Sequence, residues 1–424
     1  MKLKGNKGII MNRRVVVTGM GTINPLSHNV EDLWSALKAG KSGVGPITQF
    51  DPAEFPSKIA GEVKDFNPSD FIDSKDHRKM ARFTQFAVAG AVEAMNQAGL
   101  NSENIDPYRS SVILGNGIGG FEIIESSHRV LFEKGPKRIP PMTIPKLLSN
   151  EGPGNVAIRF GFKGPAYVIN TACASATDAI GQAMTAIRHG VSDVVLAGGT
   201  EASITELGVG GFCVLKALST KRNDDPTKAS RPFDADRDGF IIAEGSGILV
   251  LEELEHAKAR GANILAEIAG YGATCDAFHL TAPNSDGIAA STAMSNAIKD
   301  AGLKPSDIDY VNAHGTSTPT NDPLETKAIK LALGDHAYKT KISSTKSMTG
   351  HLVGAAGGIE AIISVKAIQD QFFPGTLNLD NPAEGCDLDY VPGKGISGKI
   401  KAVMSNSLGF GGHNGTLVIK EYVK

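Results

Sequence analysis

Tyr167–Gly190 reads YVINTACASATDAIGQAMTAIRHG, and its apolar period changes once along the way. Tyr167–Asn170 is a short aromatic and β-branched run, the pattern of a strand. Beyond the turn Thr171-Ala172-Cys173, apolar residues recur at Ala176, Ala179, Ile180, Ala183, Met184 and Ile187. That spacing of i, i+3, i+4, i+7, i+8 and i+11 predicts a helix with one buried face. Arg188, His189 and Gly190 then supply a cationic last turn and a stop. Cys173 therefore stands at a strand-to-helix junction, at the N-terminus of the helix.

The same alternation runs along the chain and predicts an α/β protein with parallel strands joined by crossover helices. Val15–Thr18, Ser111–Leu114, Tyr167–Asn170 and Val194–Ala197 are the strand candidates of the first half. Ile264–Ala269, Ile308–Asn312, Ile342–Ser344, Ala402–Ser405 and Thr416–Ile419 are those of the second. The junction also recurs, because Ile342–Ser344 passes through Lys346-Ser347-Met348-Thr349-Gly350-His351 into another helix. Two related halves, residues 1–262 and 263–424, would each carry reactive side chains at such a junction. Facing each other, they would bring the junctions together. No Pro/Ser-rich linker separates them, and a helical stretch Glu252–Arg260 leads into Gly261 and the next strand.

At 424 residues, 41% hydrophobic and 21% charged, the chain can bury a large core and has an ordinary globular composition. A formal net charge of -2 offers no general electrostatic case for nucleic acid or an anionic membrane. Cys173, Cys213, Cys275 and Cys386 form no CxxC pair and no zinc spacing, which favours a cytoplasmic compartment over a disulfide framework. No apolar run is long enough to span a bilayer. The basic start MKLKGNKGIIMNRR lacks the apolar core of a signal peptide, and Met11 is a second candidate start.

On position alone, two readings of Cys173 stay open. It is a small buried hydrophobe, or a nucleophile whose thiol is lowered from a pKa of about 8.5 by the helix N-terminus. His314 follows a strand in DYVNAHGTSTP, Asp309–Pro319, and His351 precedes Leu352 and Val353. Either histidine alone reads as a structural hydrogen-bonder. A zinc pair would lack both the HExxH spacing and a nearby carboxylate pair. With Cys173, two histidines at strand ends suit a nucleophile and its imidazole partners. Gly115–Gly120, GNGIGG, satisfies G-x-G-x-x-G after a strand and gives a rival reading as a dinucleotide-binding turn. Against it, the motif lies outside a first βαβ unit and no acidic strand end follows about twenty residues on.

Thr171-Ala172-Cys173-Ala174-Ser175, Ala313-His314-Gly315-Thr316-Ser317-Thr318, Lys346–His351 and the glycine-rich Ser407–Asn414, SLGFGGHN, resemble the ordered motifs of β-ketoacyl synthases. The resemblance runs from about Arg14 to the end, and it is to the elongating enzymes of dissociated fatty acid synthesis. It implies a thiolase-like five-layered α/β/α/β/α fold of two pseudo-symmetric halves. It also implies decarboxylative Claisen condensation of malonyl-carrier protein with an acyl thioester on Cys173. By the same resemblance, His314 and His351 stabilise the enolate, Lys346 tunes protonation, and Glu360 supports that network. Phe410 gates the thiol and, with Cys173, offers backbone amides to the thioester. Ile118 and Phe212 border the acyl pocket, and Thr316 and Thr318 hold the pantetheine arm. The family carries no cofactor or metal for this chemistry. Its partners are acyl- and malonyl-loaded acyl carrier protein and a second copy of the chain, with no nucleic acid or membrane.

Neighbouring classes fit less well. Thiolases resemble this arrangement but carry a second cysteine in the glycine-rich segment, where this chain has none. Initiating synthases have Asn where His351 stands, and chain-length factors lack the nucleophile. Lys75, His77, Arg78, Lys79 and Arg82, and again Lys137, Arg138 and Lys146, form basic clusters compatible with an acidic carrier protein.

Overall fold

The computed structural model describes residues 13–101 and 103–423, so the start-site question at Met1 and Met11 lies outside the described residues. The main sheet is built from β1 (Val15–Ile23), β2 (Ser110–Gly115), β3 (Ala166–Ile169), β4 (Val194–Glu201) and β5 (Gly245–Glu253), then a second set. That set is β6 (Ala266–Cys275), β7 (Tyr310–Asn312), β8 (Lys341–Ser343), β9 (Ala402–Gly409) and β10 (His413–Lys420). The spatial order is β8-β7-β9-β10-β6-β1-β5-β4-β2-β3. Read outward from the centre, both sets follow one rule. β1 and β6 each pair antiparallel with the last strand of their set, and two antiparallel contacts are followed by two parallel ones. A short antiparallel contact, Val16 with Glu267 and Val17 with Ala266, joins the sets.

Helices cover and separate the two sets in five layers. α1 (Arg82–Ala98) packs on the outer face of β1 and β5. α2 (Ser175–Arg188) and α5 (Ala356–Asp370) pack against each other and against strands of both sets. α3 (Ile288–Asp300) and α4 (Asn321–Leu333) cover the outside of the second set. The stripe read from sequence is the buried face of α2, since Ala176, Ala179, Ile180, Ala183, Met184 and Ile187 are all buried. Its partners include Leu249, Ile359, Ile363, Val403 and Leu417, so the inner layer is one core shared by both sets. β1, β4 and β5 are buried along their whole length because helices cover both faces.

Two expectations need correction. The sheet is mixed rather than parallel, because β1, β5, β6 and β10 run antiparallel to their neighbours. The sequence pattern does not signal β5, and the helix expected at Glu252–Arg260 spans only Leu254–Ala259. Glu252 stays in the strand because it pairs with Val16 on β1 and Val194 on β4, and its buried carboxylate accepts hydrogen bonds from Thr18, His256 and Arg260, the last at 2.6 Å. β3 and β8 hold equivalent positions at the two ends of the sheet, so the two strand-to-helix junctions are topological counterparts.

Candidate active site

Cys173 sits in a tight turn, Ala172–Ala174, between β3 and α2. Ala172 adopts φ +50°, a left-handed conformation that costs a non-glycine residue roughly 1–3 kcal/mol. Side chains hold the turn in place. Ser175 Oγ accepts from the Thr171 amide at 2.9 Å and donates to the Ala172 carbonyl at 2.6 Å. Asn170 Oδ1 accepts from the Ala172 amide at 3.2 Å. The end of β9 closes over this turn, and a Cβ on Gly409 would lie 2.7 Å from the Thr171 oxygen and 3.2 Å from the Cys173 nitrogen. Glycine is therefore required there. The backbone amides of Phe410 and Cys173 both face the sulfur.

The expected lowering of the thiol is overturned. Burial pushes Cys173 up to about 11, and the Lys346 charge and the two amides offset this only in part. A helix N-terminus contributes about 0.3–1 kcal/mol at an exposed position, up to about 2 where partly buried, and the desolvation of the half-buried Cys173 outweighs it.

His314 and His351 converge on the thiol from the second set. A Cys173, a His314 and a His351 ligand atom all lie within 4.8 Å of one another. The imidazoles meet edge to face with centroids 5.4 Å apart, and the Phe240 ring flanks His351 at 5.2 Å. Both histidines are buried, and burial together with the Lys346 charge holds both well below 6.5, hence neutral. Nδ1 of His314 and both ring nitrogens of His351 have no hydrogen-bond partner among the described residues. The Lys346 charge beside the cluster opposes a dication. The set suits a thiol with two neutral N–H donors better than a metal.

Lys346 is 2% exposed and forms an ion pair with Glu360 on α5, which excludes the surface reading. Burial raises the Glu360 carboxyl to about 7 even with Lys346 beside it. Thr316 and Thr318, hydrogen-bonded at 3.1 Å, and the Phe212 and Phe410 rings line the same cavity of about 340 Å³ as Cys173 and the two histidines. Phe212 and Phe410 stand 6.5 Å apart between centroids. Ile118 does not line this cavity; it lies half-buried in the turn after β2.

Two carboxylates were missed. Glu325 on α4 accepts from the His314 and Gly315 amides, each at 2.7 Å, and so fixes the histidine turn. A carboxylate on the helix after AHGTSTP was the available signal. Glu201, at the end of β4, accepts from the Gly117 amide at 2.9 Å and the Gly354 amide at 3.1 Å. This removes the dinucleotide reading, because the Gly115–Gly120 turn already holds a buried carboxylate where a phosphate would bind. Arg82 also leaves the basic cluster, since it is bound to Glu244 at 2.6 Å, whereas Lys75, Arg78 and Lys79 are exposed.

A strained cysteine turn, two neutral imidazoles from a topologically equivalent half and a glycine loop closing over the thiol define a condensing enzyme of thiolase-like fold. Residues 12–257 match the beta-ketoacyl synthase N-terminal domain and residues 265–380 its C-terminal domain, and the chain belongs to the β-ketoacyl synthase family. It is 52% identical over 407 residues to 3-oxoacyl-[acyl-carrier-protein] synthase 2 of Coxiella burnetii, covering 96% of this chain and 98% of that one. The synthase 2 of Synechocystis is 50% identical over 97% of this chain and 98% of its own. Among solved structures, a ketosynthase in complex with its type II polyketide acyl-carrier protein superposes with TM-score 0.91 at 37% identity, covering 97% of this chain and 100% of that one. A beta-ketoacyl synthase from Burkholderia phymatum gives 0.90 at 36% identity, with the same coverage of both chains.

Proposed function

We propose that this chain extends fatty acyl chains, taking acyl- and malonyl-loaded acyl carrier protein and releasing 3-oxoacyl-carrier protein, CO2 and free carrier protein. The supporting observation is the convergence of Cys173 with two buried, neutral imidazoles. The Cys173 thiol attacks the acyl thioester and the carrier protein leaves as its thiol. Malonyl-carrier protein then loses CO2, and the electron pair of the broken C–C bond passes to the thioester oxygen as an enolate. His314 and His351 donate N–H bonds to that oxygen, each worth about 2.7–4 kcal/mol by the scale of oxyanion-hole deletions. The enolate carbon bonds to the acyl carbonyl, whose oxygen faces the Cys173 and Phe410 amides, and the cysteine sulfur departs. Lys346 and Glu360 set the charge around this centre. Thr316 and Thr318 hold the pantetheine arm, Phe212 borders the acyl chain, and Phe410 gates the thiol.

The division into halves falls after residue 262, with Cys173 in residues 1–262 and His314, Lys346 and His351 in residues 263–424. A second copy of the chain covers the β3 edge, where Tyr167 is 42% exposed and Ile158 on the helix behind it 80%. An uncovered apolar edge strand is an aggregation hazard, and Ile118 would then border a pocket completed across that interface. The compartment is the cytoplasm, which suits four free cysteines; no described helix is long and apolar enough to cross a membrane.

Mass spectrometry after incubation with acyl-carrier protein should find the acyl mass on the Cys173 peptide, and malonyl-carrier protein should remove it. Cys173→Gln should still release CO2 from malonyl-carrier protein while making no extended product. An unacylated Cys173, or a silent Cys173→Gln variant, would defeat the reading.

A further inference from the structure

The turn that carries Cys173 is fastened by a carboxylate that the mechanism above does not use. Asp178, buried on the first turn of α2, accepts Thr171 Oγ1 at 2.5 Å on one oxygen and the Tyr271 hydroxyl at 2.7 Å on the other. Thr171 immediately precedes the strained Ala172-Cys173 step, and Tyr271 belongs to β6 in the opposite strand set. One carboxylate thus joins the nucleophile turn to the half that supplies His314 and His351.

The surroundings are shaped for this contact. A Cβ on Gly181 would lie 2.4 Å from the Tyr271 ring, and one on Gly415 would lie 2.8 Å from Asp178 Oδ1. Burial raises the Asp178 carboxyl, while the Thr171 and Tyr271 hydroxyls and the nearby His413 hold it back. Burial and the Asp178 charge raise the Tyr271 hydroxyl, which keeps it a donor. None of Thr171, Asp178 and Tyr271 lines the cavity, so substrate cannot be their partner. The Ser175 and Asn170 bonds tie the turn to itself and to its own half; they cannot set its distance from the histidines.

We propose that Asp178 and Tyr271 form a positioning pair that sets the Cys173 sulfur against His314 and His351. The assignment rests on Cys173 being the nucleophile and the histidines being the enolate site. Acylation and condensation both depend on where the sulfur stands. Decarboxylation by the histidines does not.

The test compares Tyr271→Phe and Asp178→Ala with the wild-type enzyme, and adds Tyr271→Phe to the Cys173→Gln background. Tyr271→Phe should lower kcat for condensation about tenfold, within the loss that a misplacement of about 1 Å produces. Its KM for malonyl-carrier protein should stay within about twofold, the mark of an interaction that acts after binding. Asp178→Ala should lose more, and the two changes together should lose no more than Asp178→Ala, since both act through one carboxylate. Cys173→Gln/Tyr271→Phe should release CO2 at the rate of Cys173→Gln. Condensation by Tyr271→Phe within about twofold of wild type would overturn the pair, as would an equal loss of decarboxylation with a lowered melting temperature. Iodoacetamide alkylation of Cys173 needs no carrier protein and should be at least about threefold faster in Tyr271→Phe, as the sulfur leaves its enclosure. An unchanged rate overturns the pair even if the condensation chemistry itself proves wrong, whereas a silent Cys173→Gln parent indicts only the chemistry.

Discussion

The two strand-to-helix junctions are counterparts that have diverged in what they insert. α2 and α5 both start from a single tight turn, Ala172–Ala174 in one half and Val353–Ala355 in the other. The first residue of each turn is a left-handed non-glycine, with φ +50° at Ala172 and +45° at Val353. By this correspondence the counterpart of Cys173 is Gly354. Residues 170–174, five in number, separate β3 from α2, whereas residues 344–355, twelve, separate β8 from α5. The seven extra residues, twelve less five, accommodate the stretch with Lys346 and His351. A Cβ at Gly354 would lie 2.2 Å from the Gly117 nitrogen, a backbone atom that cannot easily give way, so a second nucleophile has no room there. One scaffold position thus carries the cysteine thiol in one half and is a close-packed support for a histidine loop in the other.

The sharpest way to break this division of labour is at Cys173, the proposed nucleophile. Cys173→Ser should leave the melting temperature within a few degrees and reduce condensation by about 10³-fold or more, the scale on which a nucleophile's removal is felt. A serine hydroxyl is far harder to ionise than a thiol that burial already holds at about 11. Condensation near the wild-type rate, measured with acyl- and malonyl-carrier protein, would end the assignment.

Lys346→Met tests the second junction through the first. The Lys346 charge lowers Cys173, so its loss should slow alkylation of the thiol at neutral pH. Because the wild-type thiol titrates near 11, its alkylation rate should climb about tenfold per pH unit from 7 to 10. The variant's curve should lie to higher pH. Removing one partner of a buried ion pair costs about 3–5 kcal/mol. Lys346 holds the folded Glu360 carboxyl down at about 7, so its loss raises that carboxyl further, and the variant's deficit shrinks as pH falls towards about 7 and stays level below it. Denaturant midpoints of both proteins at pH 6 and 8 measure this; an equal deficit at the two pH values would show that Glu360 is not the strained partner.

What sequence could reach was whatever local pattern carries. The α2 stripe, both junctions, the ends of β1 and β4 and the motif residues are legible because period, turn chemistry and spacing are properties of one segment. β5 escaped because Gly245–Glu253 is buried on both faces and ends in charged Glu252 and Glu253, which read as the start of a helix. The direction of the Cys173 shift also escaped. It depends on how much protein surrounds the sulfur, which the helix N-terminus alone does not reveal. Glu201 and the Asp178–Tyr271 contact join residues distant in the chain, and so does the Arg82–Glu244 pair that emptied one position of the basic cluster.

The smallest expected effect concerns the lid rather than either junction. Phe410 stands between Gly409 and Gly411 at the mouth of the cavity, half-buried, with its ring 6.5 Å from Phe212. Gly411 and Gly412 adopt φ +85° and +76°, conformations open to glycine and strained for other residues, so the loop can re-aim Phe410 at low steric cost. If the ring covers Cys173 until acylation and then swings aside, Phe410→Ala uncovers the thiol while spoiling the order of substrate entry. Condensation should fall about tenfold, the scale of a misplaced lid, while iodoacetamide alkylation of Cys173 stays level or rises. The opposite view makes Phe410 a plain core residue, whose truncation would cost about 3–5 kcal/mol and drag both activities down with the melting temperature. Half-burial against one aromatic neighbour argues for a much smaller stability loss. The three measurements on one variant decide the matter: a proportionate fall in alkylation, condensation and melting temperature would leave the two junctions without a gate between them.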